Sequence, residues 1–190
     1  LKAGKKLTDI KTVPPFFPDN DIVRTDILDY ALEIEYFDSH VTEILNFLES
    51  KGELDNTIVI VTSDHGMPFP RVKSDEYEDS NHIPLAVMWG KNIKEPGRII
   101  NEYVSLIDIA PTIFDAVGLD WENSGMHKSP GVSLFPFFKG DIEEFRDYVL
   151  IGKERHDVGR PNDYGYPIRG IVKDDWIYLR NYRHELWPAG

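Results

Sequence analysis

An α/β fold is predicted for this chain by three features of its sequence. These are a long stretch of helix-period apolar residues, an unbroken β-branched run that stops at titratable residues, and a closing series of short strand-like segments divided by Gly and Pro. The lead-in, Lys2 to Lys11, is basic, lacks periodicity and reads as a loop. Pro14-Pro15-Phe16-Phe17-Pro18 is an extended, aromatic-rich turn. Asp19 or Asn20 then offers an N-cap for a helix from about Asp21 to Ser50. Within it Ile27, Ala31, Ile34, Phe37, Val41, Ile44, Leu45 and Leu48 recur at three- and four-residue steps, and Lys51-Gly52 closes it. Asp38 falls on or beside that stripe and reads as a hydrogen-bonded structural carboxylate.

Thr57 to Thr62 is an apolar run without alternation, which suits a strand covered on both faces, as in a parallel sheet. It stops at Ser63-Asp64-His65-Gly66, and the carboxyl ends of such strands are where open α/β sheets place ligands. A charged loop, 67–81, leads to a second strand at Pro84 to Trp89. Ser105 to Val117 has helical period, with Pro111 expected in the first turn or at a kink. Beyond Gly118 the segments shorten: a turn region at 131–138, a small acidic helix near 141–145, and strands at 148–151, 168–173 and 176–182. Asp174-Asp175 would be the hairpin turn between the last two. The polar stretch from Glu154 to Tyr166 is long for a connection between strands, and long ordered loops are disproportionately functional.

Composition removes several function classes. The net charge of −12 repels a phosphate backbone and argues against nucleic-acid binding. The absence of Cys excludes disulfides, thiolate zinc sites and cysteine nucleophiles within the chain. No apolar run approaches the roughly 20 residues that span a bilayer, so no membrane span is expected. The chain opens on Leu1 and closes on Leu186-Trp187-Pro188-Ala189-Gly190, and it is expected to be an internal segment of something longer.

Asp64-His65 is the strongest local signal for chemistry. Where the strand breaks at Gly66, a carboxylate and an imidazole can turn toward one ion; the plainer alternative is a polar turn. Arg71 and Lys73 lie eight or nine residues past the strand end, where a cation can fold back to hold an anion sharing that metal. The alternative for both is a solvated loop charge. His82 is read as structural. Arg155, His156, Asp157 and Arg160 concentrate both signs in the long loop, as sugar or anion recognition requires, or form a surface salt-bridge cluster.

Pro15-Phe16-Phe17-Pro18-Asp19, the stretch from Asp55-Asn56-Thr57-Ile58-Val59 to Ser63-Asp64-His65-Gly66, and Ser105-Leu106-Ile107-Asp108-Ile109-Ala110-Pro111-Thr112 together resemble the type I sulfatases, in the order that family uses. Met67-Pro68-Phe69-Pro70 and the loop from Arg155-His156-Asp157 to Tyr166-Pro167-Ile168-Arg169 most resemble its heparan N-sulfatases. The resemblance implies part of an alkaline-phosphatase-like sheet flanked by helices, followed by a small antiparallel C-terminal subdomain. Residues 1–139 would continue the core and 140–190 would begin that subdomain. It also implies one Ca²⁺ held partly by Asp64 and His65, with Lys73 contacting the sulfate and the Arg155, His156, Asp157 and Arg160 loop contacting the sugar.

Many family members carry Asn where this chain has His65. The C/S-x-P-x-R motif that matures to the formylglycine nucleophile, the N-terminal pair of Asp ligands and the closing Asp-Pro-rich segment are not found in this sequence. The resemblance is therefore to a C-terminal portion, expected to be inactive alone. Its partners would be a sulfated saccharide and the N-terminal part of the same enzyme, in a periplasmic, secreted or lysosome-like location. Two readings compete: a zinc phosphodiesterase or phosphatase of the same superfamily, with His156 as a further ligand, and a non-catalytic glycan-binding module.

Overall fold

The computed structural model describes residues 4–141, 145–155 and 161–186. The chain divides into two compact units, Leu1–Thr57 and Ile58–Gly190. The predicted acidic helix near 141–145 lies largely outside the described residues.

The first unit is built on helix α1, Asp21–Ser50, with the predicted boundaries. Asn20 caps it, its Oδ1 accepting from the Val23 amide at 3.0 Å. At the other end Gly52 takes the left-handed conformation (φ 71°), and its amide donates to Glu49 O at 2.9 Å while Glu53 N donates to Leu48 O at 3.0 Å. That pair of bonds is the Schellman stop that Lys51-Gly52 encodes. The lead-in is better ordered than its composition suggests. Arg24 donates to Ile10 O at 2.9 Å and pairs through Nη2 with Asp19 at 2.8 Å, which ties the segment before the helix to its first turn. Leu28 is buried, whereas Ile34, Phe37 and Ile44 of the predicted stripe are exposed, as is Phe47 beside them. Asp38, read as a hydrogen-bonded structural carboxylate beside that stripe, is exposed too.

In the second unit, strand β1 (Val59–Thr62) pairs with β2 (Leu85–Met88), Ile60 opposite Val87. The pairing is antiparallel, unlike the parallel arrangement that the unbroken apolar run predicts. The connection, residues 63–84, holds a single turn of helix, α2 (Glu78–Asn81), in place of the long crossover helix of a βαβ unit.

The second unit's hydrophobic core is Leu134, Phe137 and Phe138, packed against Leu85, Val87, Trp89, Ile93, Val104, Phe135 and Phe145. Phe137 and Phe138 belong to helix α4, Phe135–Lys139, where the sequence predicts a turn region. Pro136 at its start and the left-handed Gly140 (φ 72°) at its end are helix signals compressed into one turn. A 3-10 turn, Leu106–Asp108, leads into helix α3, Ile109–Ala116, and Pro111 falls in its first turn, where no amide donor is needed.

Asp108 is fully buried and joins three segments. Its carboxylate accepts from Ser105 N at 2.8 Å, Val132 N at 2.8 Å and Arg146 Nη2 at 2.6 Å. Its carbonyl accepts from Thr112 Oγ1 at 2.6 Å, and that hydroxyl in turn accepts from Leu134 N at 2.7 Å. The Asp-Ile-Ala-Pro-Thr sequence is thus a polar keystone that fixes the start of α3 to the chain entering α4.

Strands β3 (Val149–Lys153), β4 (Ile168–Lys173) and β5 (Trp176–Asn181) form an antiparallel meander. Asp174-Asp175 makes the predicted two-residue turn, with Asp174 left-handed at φ 49°. The long loop from Glu154 to Tyr166 is closed at its neck, where Tyr166 N donates to Glu154 O at 2.9 Å.

Candidate functional site

The site is built where β1 ends. Thr62 is the last residue of the strand, and the chain then turns sharply through Ser63, Asp64, His65 and Gly66. Ser63 Oγ donates to His65 O at 2.6 Å, which holds the turn. His65 Nδ1 lies 2.6 Å from Gly66 O. A carbonyl only accepts, so Nδ1 carries the ring proton and the lone pair of the neutral imidazole is on Nε2. This is the arrangement by which a metal-ligating histidine is oriented, through a hydrogen bond from the nitrogen that does not bind. Nε2 faces Asp64 Oδ1 at 3.6 Å. Two donors about 2.4 Å from one cation and at right angles are about 3.4 Å apart, so the spacing accommodates a shared ion. The Asp64 side chain is 87% exposed and that of His65 32%, so the pair is open to a ligand. Among the described residues no third His, Cys, Asp or Glu joins them.

The loop after Gly66 folds back onto it. Gly66 N donates to Ser80 O at 3.0 Å, and a Cβ at Gly66 would lie 1.8 Å from Asp79 O and 2.8 Å from Val72 Cγ1. Only glycine fits that approach. Val72 is fully buried, and its carbonyl accepts from Ser80 Oγ. Lys73 is therefore the exposed neighbour of a residue packed against the Asp64-His65 turn. Arg71 and Ser74, on either side of the Val72-Lys73 pair, have φ of 67° and 65°, a region that non-glycine residues seldom occupy and that clusters at functional loops. The Lys73 ammonium has no hydrogen-bond or ion-pair partner among the described residues. The guanidinium of Arg71 lies 5.0 Å from the Tyr77 ring centroid. His82 is on the surface beside Glu78, with Nδ1 3.5 Å from Glu78 Oε1.

Of the predicted sugar-contact residues, Arg155 pairs with Asp163 in a half-exposed ion pair. His156, Asp157 and Arg160 lie outside the described residues. Glu76, which no sequence motif marks, is buried, and its Oε2 accepts no hydrogen bond among the described residues. Burial pushes its carboxyl above the usual range; Lys153 and Arg169 pull the other way, and Asp75 adds to the rise. A glutamate in a charged loop carries no sequence mark of burial. Its neighbours Lys153 and Arg169 come from β3 and β4, and only folding brings them near.

The sulfatase family's sequence profile matches residues 9–119. Human N-sulphoglucosamine sulphohydrolase is 30% identical over 179 residues, covering 92% of this chain and 34% of that protein. N-acetylglucosamine-6-O-sulfatase of Bacteroides thetaiotaomicron is 34% identical over 149 residues, covering 76% of this chain and 25% of that protein. A solved structure, BT4656 in complex with its substrate D-glucosamine-2-N,6-O-disulfate, superposes with a TM-score of 0.63 at 25% identity over 85% of this chain and 32% of that one. The chain thus spans a quarter to a third of the length of the curated relatives cited here, 25% and 34%.

Proposed function

This chain belongs to the sulfatase family, with an alkaline-phosphatase-like α/β fold, and we propose that it is the part of a sulfated-sugar sulfatase that carries metal ligands, a sulfate contact and a substrate loop. The observation that carries the reading is the turn at the end of β1, where His65 Nδ1 is bonded to Gly66 O and Nε2 faces Asp64 3.6 Å away, with the Lys73 loop packed back on Gly66. The relatives' glucosamine substrates support a sulfated glucosamine unit as the target, N-sulfated as the human relative's name indicates. Residues 1–139 belong in this reading to the catalytic core, and 140–190 to the start of the antiparallel subdomain.

In this role Asp64 and His65 Nε2 hold a divalent cation, with remaining ligands from elsewhere in the natural protein. The carboxylate suits Ca²⁺; the imidazole nitrogen is a departure from the all-oxygen shells that ion prefers. A cation there supplies charge to offset the sulfate oxygens as the ester or sulfamate bond breaks. The bond from Nδ1 to Gly66 O orients the ring so that Nε2 is the nitrogen presented for binding. Lys73 pairs with the sulfate oxygens, and its charge counts most where negative charge grows in the transition state. Arg155, His156, Asp157 and Arg160 orient the sugar. The nucleophile is expected from the N-terminal part of the enzyme, so the residues here bind, orient and neutralise.

The test is metal content and turnover of the natural full-length protein on N-sulfoglucosamine, with Asp64→Ala alongside. One calcium per chain, lost with activity in the variant, is expected, and His65→Asn should be tolerated far better than His65→Ala. Two zincs per chain would favour the phosphodiesterase reading, and undiminished calcium in Asp64→Ala would remove Asp64 from the site.

A further inference from the structure

The loop that carries Lys73 is fastened at a second place, away from the metal turn. Lys153, the last residue of β3, donates from Nζ to Ser74 O. Two residues on, Glu76 is 6% exposed, with Oε2 unpaired among the described residues and its carboxyl in the field of Lys153 and Arg169. Arg169 donates to the carbonyls of Lys153 at 3.1 Å and Ile168 at 2.9 Å, and pairs with Glu154, the first residue of the long polar loop. Lys153 and Arg169 thus stand between two loops that are far apart in sequence: the Lys73 loop on one side and the neck of the Glu154 to Tyr166 loop on the other.

We propose that Lys153 and Glu76 are positioning residues that lock the Lys73 loop to the root of the Glu154 to Tyr166 loop, so that one joint sets the Lys73 sulfate contact and holds the strand ends from which the second loop leaves. The proposal rests on the functional reading above.

The physical case is the backbone conformation. Arg71 and Ser74 are left-handed without being glycine, and such conformations persist where surroundings over-determine them. Val72, buried against Gly66, fixes one side of Lys73, and the Lys153 bond to Ser74 O fixes the other. Between them Val72 N and Lys73 N donate to Phe69 O at 3.1 and 3.2 Å, and Asp75 N donates to Val72 O at 3.1 Å. A buried carboxylate two residues from Ser74 keeps the ammonium over this loop by charge, where an apolar side chain would exert no such pull. The charged and titratable groups acting on Glu76 are Lys153, Arg169 and Asp75, so the joint senses pH through that one buried acid.

The experiment compares Lys153→Met, Lys153→Arg and Glu76→Gln with the wild type in the natural full-length protein. Hydrogen exchange at the Val72, Lys73 and Asp75 amides reads the joint directly. Expected is at least tenfold faster exchange in Lys153→Met, with protection kept in Lys153→Arg. Kinetics read its consequence: Lys153→Met lowers kcat about tenfold on a small sulfate ester and also raises KM for a sulfated disaccharide, while Lys153→Arg restores both. Glu76→Gln, which keeps the side chain's shape, removes from the pH–rate profile an ionisation lying above the ordinary carboxylate range. Unchanged exchange in Lys153→Met overturns the joint, as do wild-type kinetics in that variant or an unaltered pH profile in Glu76→Gln. Wild-type protein without turnover on any sulfate ester would end the functional reading instead, and the exchange comparison would still decide the joint.

Discussion

Replacing Asp108 by Ala removes a carboxylate that has no exposed surface and accepts three hydrogen bonds, from Arg146 at 2.6 Å and from the amides of Ser105 and Val132 at 2.8 Å each. The Arg146 side chain is 17% exposed, so its guanidinium would lose its partner with little water to replace it. Breaking a buried pair from one side costs about 3–5 kcal/mol. The two amides belong to half-buried Ser105 and exposed Val132, where water can replace the carboxylate, so they add about 1 kcal/mol or less to that loss. Asp108→Ala should therefore destabilise by about 4 kcal/mol in urea titration of the natural protein. Asp108→Asn, which keeps one acceptor oxygen but turns an amide group toward a donor, should fall between it and wild type. Asp163→Ala serves as the control, because its Arg155 partner is half exposed and such pairs contribute little. A loss below about 1 kcal/mol in Asp108→Ala would mean that water or a repacked side chain replaces the carboxylate, and the keystone reading would be refuted.

Two predictions bear on the proposed chemistry. Lys73→Ala should lower kcat by about 10²-fold, the effect of losing one charge contact made in the transition state, with thermal stability unchanged because the side chain is exposed; wild-type kinetics would return Lys73 to a solvated loop charge. His156→Ala and Arg160→Ala should raise KM for an oligosaccharide and leave a small sulfate ester nearly unaffected, since the lost contact is uniform binding to a remote group. Equal losses on both substrates would place that loop at the reacting centre instead.

The elements that the sequence announces are those whose signals are local. Asn20 and the Lys51-Gly52 pair bound α1 because capping is decided within a few residues, and Asp174-Asp175 makes its hairpin for the same reason. Asp64 and His65 are legible as a pair because the strand break at Gly66 is visible in the residues themselves. The elements that differ from the sequence expectation depend on partners distant in sequence. The run Thr57 to Thr62 specifies a buried strand but not the direction of its neighbour, which follows from how residues 63–84 reverse the chain. The 131–138 segment reads as a turn until Phe137 and Phe138 find Leu85, Val87 and Trp89 to pack against.

The same division runs through the site. Lys73 is conspicuous as a cation near a strand end, yet nothing local says what its loop is fastened to. Its contacts are the approach of Val72 to Gly66 and the bond from Lys153, 79 residues beyond Ser74. Glu76 is the extreme case, one acid among many in a chain of net charge −12, distinguished by burial alone. A charge that burial makes costly persists where its neighbours use it, and its neighbours here are the cations at the foot of the long polar loop. Residues of this kind join two loops through the folded structure, and motif spacing cannot register them because neither loop's sequence refers to the other.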